Sequence, residues 1–93
     1  MKVFKGNYDG LCCVVVAAKT KADAMRILGE PRHVFNEYYT EASGDLDVEV
    51  AMSEPGTLFW CSLHITNPTR EDYYTTPGEA RSVYYNRNKP NPL

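Results

Sequence analysis

The sequence predicts an α+β domain: a small antiparallel sheet, made from an N-terminal hairpin and a later strand, with two or three short helices packed on one face. Three observations carry this. The apolar runs MKVF and LCCVVVAA flank KGNYDG, a loop rich in Gly, Asn and Asp, as in a hairpin. TKADAMRILGEPRHVFNEYY, residues 20–39, reads as helix, glycine turn, helix. TLFWCSLHI, residues 57–65, alternates as a strand does.

The second apolar run is nearly continuous Val and Cys, so it belongs at the centre of the sheet, covered on at least one face. Thr20, with Asp23 three residues on, opens the first helix as a capping box would, Asp standing in for Glu. Ala24, Met25 and Leu28 form its apolar stripe, and Gly29 suits its C-cap. Pro31 cannot continue that helix but suits the start of the next. Val34, Phe35 and Tyr38 recur at helical spacing, so the second helix should end near Tyr39 or Thr40.

DLDVEVAM, residues 45–52, fits two patterns. Leu46, Val48, Val50 and Met52 alternate as in a strand, yet acids favour a helix first turn and Leu46 with Val50 spans one turn. The segment 54–56, EPG, is a turn. In the strand that follows, Phe59, Cys61 and Leu63 share one face, and Leu58, Trp60 and Ser62 the other. From about residue 66 the chain is polar and aromatic; RSVYY, residues 81–85, reads as an edge strand and residues 86–93 as a fraying end. Val14, Val16, Leu28, Phe35, Phe59 and Leu63 are the expected single core.

The 93 residues form one domain, 1–93, with an ordinary 43% hydrophobic and 24% charged content. The net charge of -2 shows no basic excess of the kind phosphate binding favours. The longest apolar run, LCCVVVAA, is too short to span a bilayer, and no cleavage site follows MKVFK, so no membrane partner and a cytoplasmic location are expected. Cys12, Cys13 and Cys61 are an odd set with two adjacent members, a poor disulfide framework; they read as small buried hydrophobes. Cys61 and His64 lack further metal ligands at suitable spacing, and neither a phosphate-binding loop nor a nucleotide-binding glycine motif is present. No cofactor or catalytic group is expected.

Residues 20–39 also match a DNA-reading helix-turn-helix, with Arg32, His33 and Asn36 at the reading positions. Against this, Lys19, Lys21, Arg26 and Arg32 are offset by Asp23, Glu30, Glu37 and Glu41, so DNA binding is the less favoured alternative. If Phe35 and Tyr38 face inward, Arg32, Asn36 and Tyr39 are left outside as a polar and aromatic patch. Tyrosines come in pairs at Tyr38-Tyr39, Tyr73-Tyr74 and Tyr84-Tyr85, and exposed Tyr near Arg is typical of recognition surfaces. The candidate binding residues are therefore Arg32, His33, Asn36, Tyr39, Tyr73, Tyr74, Arg81, Tyr84 and Tyr85. The acids Asp45, Asp47 and Glu49 read as a solvated face.

VVVAAKTKADAMRILG, HVFNEYYTEASGD and EVAMSEPGTLFW together resemble small accessory proteins encoded by bacteriophages and prophages, over roughly residues 11–63. The resemblance implies a helix over residues 45–53, and a non-enzymatic protein acting by binding inside the host bacterial cell. It implies inhibition of a host anti-phage defence protein, as anti-CRISPRs do, or sequestration of its nucleotide signal. The nucleotide alternative would use the tyrosine pairs with Arg32, Arg70 or Arg81, in a pocket that two subunits could share as a homodimer.

Overall fold

The computed structural model describes residues 1–7 and 9–88, the side chains of residues 84–88 excepted. In chain order the elements are β1 (Lys2–Asn7), β2 (Cys12–Ala18), α1 (Lys21–Leu28), α2 (Arg32–Tyr38), β3 (Tyr39–Glu41), α3 (Asp45–Ser53), β4 (Phe59–Ser62), a 3-10 turn (Arg70–Asp72), β5 (Tyr73–Tyr74) and α4 (Pro77–Asn88). The strands form one antiparallel sheet in the order β3-β1-β2-β4-β5. This is an α+β fold.

Every residue of β2 is buried, and its alternation sorts the core into two layers. Cys12, Val14, Val16 and Ala18 face Ala24 of α1, Phe35 of α2 and Ala80 of α4, together with Phe4 and Trp60. Val15 and Ala17 face the opposite way, towards Ala51 of α3, with Val3 beside them and Phe59 packed against the group. The helices therefore cover both faces of the sheet, not one, and the expected single core is two. Val14, Val16, Leu28 and Phe35 belong to the first layer, and Phe59 to the second. Leu63 belongs to neither: β4 ends at Ser62, and Leu63 falls in the turn beyond it, 45% exposed.

The ends of α1 follow the sequence. Asp23 N–H donates to Thr20 Oγ1 at 3.1 Å, and Gly29 closes the helix in the left-handed region at φ 71°. Gly29 N–H donates to Arg26 O and Glu30 N–H to Met25 O, the paired bonds of a Schellman turn. The acidic segment forms α3, with Asp45 and Asp47 in its first turn. The segment read as an edge strand is instead part of α4. Its start is written in TPGE: Glu79 N–H donates to Thr76 Oγ1, Thr76 bonds back to the Glu79 carboxylate, and Pro77 takes the first helical position. Of residues 86–93, expected to fray, 86–88 instead continue α4 to its end, and 89–93 lie outside the described residues.

The exit from α2 differs from expectation. The helix stops at Tyr38 and the chain enters β3 at Tyr39, so the side-chain period changes from 3.6 to 2 between the two tyrosines. Helical projection would put Tyr38 inside and Tyr39 outside. Tyr38 is instead 55% exposed, and Tyr39 is buried at 7%. The Tyr39 ring stacks on Phe35, with centroids 5.1 Å apart and an interplanar angle of 7°. Its other side lies on Gly6, its partner in the β1–β3 register. A Cβ on Gly6 would fall 2.7 Å from Tyr39 Cγ, too close for any real contact. Gly6 thus clears the space in which the ring lies flat. Phe35 also meets Phe4 edge-on at 5.4 Å, which ties α2 to β1.

Gly6→Ala should therefore destabilise the protein by roughly 1–3 kcal/mol through overpacking against Tyr39. Phe35→Ala should cost roughly 3–5 kcal/mol, as truncation of a fully buried aromatic does. Urea unfolding measures both; a Gly6→Ala variant as stable as the parent would contradict the stacked arrangement.

Candidate functional site

With Phe35 turned into the core, α2 presents Arg32, His33, Asn36, Glu37 and Tyr38 as exposed residues. Beside it lies a cavity of about 360 Å³, lined by Asn7, Asp9 and Gly10 of the β1–β2 loop, Glu30 of the turn between helices, and Val34, Tyr38 and Tyr39. Its walls are therefore a helix, a stacked ring and a loop.

The loop is held by its own polar side chains. Asn7 Oδ1 accepts from Gly10 N–H at 2.8 Å, with Gly10 at φ 82°. Asp9 Oδ1 accepts from the N–H groups of Leu11 at 2.9 Å and Cys12 at 3.1 Å. Arg81 Nε of α4 donates to Asp9 Oδ2 as an ion pair. Burial alone would raise the Asp9 pKa, but the bonds from Leu11, Arg81 and Cys12 outweigh it and hold the carboxyl below its ordinary value. Asp9 therefore stays ionised at neutral pH and fixes the rim of the cavity to α4.

The expected binding residues divide between two places. Arg32, His33 and Asn36 share the exposed side of α2, and Arg81 stands behind the cavity rim through Asp9. Tyr39 contributes a wall from a buried position and is not part of an exposed patch. Tyr73 and Tyr74 lie at the opposite end of the sheet, on β5, half-buried and on opposite faces. Tyr74 packs against the first core layer and Tyr73 against the second. The side chains of Tyr84 and Tyr85 lie outside the described residues. Arg70, considered for a nucleotide, pairs with Glu49 on α3.

Under α3 is a polar network that the sequence reading missed. Asp47 accepts from Lys5 Nζ at 2.8 Å and from the Tyr73 hydroxyl. Its side chain is only 13% exposed, so it is not part of a solvated face, unlike Asp45 and Glu49. The signal was present: Val50 and Ala51 follow Asp47 at i+3 and i+4 and are buried on α3. Burial opposes the charge on Lys5, but the bond to Asp47 overrides it and raises the ammonium pKa. Burial, and then the bond it donates to Asp47, push the Tyr73 phenol up, so it stays neutral as a donor. Cys13 and Cys61 sit opposite one another in the β2–β4 register nearby.

All three cysteines are free and buried. Burial pushes the thiols of Cys12 and Cys61 up to about 12, and Cys13 upward as well. They are packing groups, not nucleophiles. Among the described residues no group of three or more His, Cys, Asp or Glu is placed to hold a metal ion. No described helix is long and apolar enough to cross a membrane.

Fold and site together define a small α+β domain with one exposed helix beside a walled cavity. No family model matches the chain, and neither a curated protein nor a solved structure matches it.

In the native protein a thiol reagent at pH 8 should find none of the cysteines readily, since a thiol of pKa about 12 is only about 10⁻⁴ thiolate there. Unfolding in urea should release three reactive thiols, and reducing agent should leave the melting temperature unchanged. Rapid native labelling, or a lower Tm on reduction, would contradict the burial.

Proposed function

We propose that the protein is a non-enzymatic binding protein that engages a protein partner through the exposed side of α2 and the adjoining cavity. The observation that carries this is Tyr38, 55% exposed at the edge of a concave surface walled by Val34 and Tyr39. An exposed aromatic next to a pocket, on a helix that also exposes Arg32 and Asn36, has the composition of an interface hot spot. The resemblance to phage and prophage accessory proteins supports a host anti-phage defence protein as the partner and inhibition by direct binding as the outcome.

Sequestration of a nucleotide signal is less well supported. The cavity is lined by Glu30, whose carboxylate repels phosphate; Arg70 is paired with Glu49 away from the cavity, and Arg81 is engaged by Asp9 at its rim. A DNA-reading role is also weaker. Arg32 and His33 are exposed at the start of α2, but Glu30 and Glu37 flank them.

The test is expression in bacterial strains that each carry one protein-based defence system, followed by phage plating. Plaque numbers should recover in at least one strain, and the purified target should bind the protein directly. Tyr38→Ala should weaken that binding by about 30-fold, the effect of truncating an interface hot spot by roughly 2 kcal/mol. Unchanged plating in every strain, or full activity of Tyr38→Ala, would overturn the proposal.

A further inference from the structure

We infer that the cavity beside α2 receives an arginine side chain of the partner, its guanidinium pairing with Glu30 and lying against the Tyr38 ring. This rests on the reading of α2 as a protein-binding face and names the chemistry that face selects.

Three features of the cavity favour a guanidinium. Its apolar part is Val34, Tyr38 and Tyr39, and a tyrosine face attracts a cation laid over it. Of its two carboxylates, Asp9 is already engaged by Leu11, Cys12 and Arg81. Glu30 is half-buried, and no ion pair or side-chain hydrogen bond joins it to another described residue. A carboxylate without a partner beside an aromatic wall gains most from a cation that arrives with its own donors.

The alternatives fit less well. An anion would meet the carboxylate of Glu30. A neutral apolar group would bury Glu30 further without satisfying it. Lysine would supply charge, but its compact, strongly hydrated ammonium is a point charge with no planar face and no fork. Arginine's planar fork can lie on Tyr38 and reach the carboxylate at once. The exposed Arg32 lies on the same helix but does not line the cavity.

The proposal is tested by titrating the isotopically labelled protein with acetyl-Gly-Arg-Gly-amide and following backbone amide shifts. The control is the same peptide with citrulline, which keeps the shape and removes the charge. The arginine peptide should shift Glu30, Val34 and Tyr38 with millimolar affinity, and the citrulline peptide should not. Glu30→Gln should weaken binding by about tenfold, as loss of a charge-assisted hydrogen bond does. Lys19→Gln, an exposed cation at the far end of β2 from the cavity, should leave it unchanged, and the dispersion of each variant's spectrum confirms its fold. Equal response to both peptides, shifts that map elsewhere, or parent-like binding by Glu30→Gln would overturn the assignment. Phage plating decides the partner-binding reading separately: a silent peptide, together with plaque recovery by the parent that Tyr38→Ala loses, rejects only the arginine.

Discussion

The structure depends on one strand with no exposed residue. β2 lies mid-sheet, flanked by β1 and β4, and all seven of its residues are buried. A strand in that position must be covered above and below, because its side chains alternate between the two faces. That requirement places α1, α2 and α4 on one side and α3 on the other. The residues of β2 are small: Cys, Val and Ala. Close helix approach follows, and the matching contacts are small too: Ala24, Ala51 and Ala80 are each 0% exposed. The larger side chains, Phe4, Phe35, Tyr39 and Trp60, fill the first layer around them.

A second constraint carries this core out to the surface. Gly6, Tyr39 and Phe35 form a column from the sheet through one ring to the next. Because Tyr39 lies on Gly6, the chain must leave its helical path at Tyr38, and Tyr38 is turned out to solvent. The same move opens the space between α2 and the β1–β2 loop. Across that space Asp9 ties the loop to α4 through Arg81, so the cavity has walls from separate parts of the chain. The opposite face is finished differently: its apolar layer is small, and Lys5, Asp47 and Tyr73 complete it with a hydrogen-bonded ion pair and a second hydrogen bond.

Much of the architecture is legible in the residues. Thr20 and Gly29 mark the ends of α1, and KGNYDG marks the hairpin, because each is a local signal with a local cause. LCCVVVAA pointed to a central strand, and its unbroken apolar character was also the sign of cover on both faces. DLDVEVAM carries both periods at once, so its helical state depends on packing over β1 and β2. α4 was missed because Val83, Tyr84 and Tyr85 suggest a strand more strongly than TPGE suggests a cap. The α2 site was legible in part. Arg32, His33 and Asn36 are exposed as expected, whereas Tyr38 and Tyr39 exchange places because a helix becomes a strand between them. The cavity was not legible, since Asn7, Asp9 and Glu30 meet Tyr38 only through tertiary structure.

The central claim, that β2 is the frame on which every other element depends, is tested most directly by native-state amide hydrogen exchange. Val14, Val15 and Val16 are buried at 1% or less; all three pair with β1, and Val14 and Val15 pair with β4 as well. Their amides should exchange only through global unfolding, with an opening free energy equal to that from denaturant unfolding, while the edge strand β3 opens at lower energy. Exchange of any of these three amides through a local opening, at a free energy well below the global value, would contradict the account.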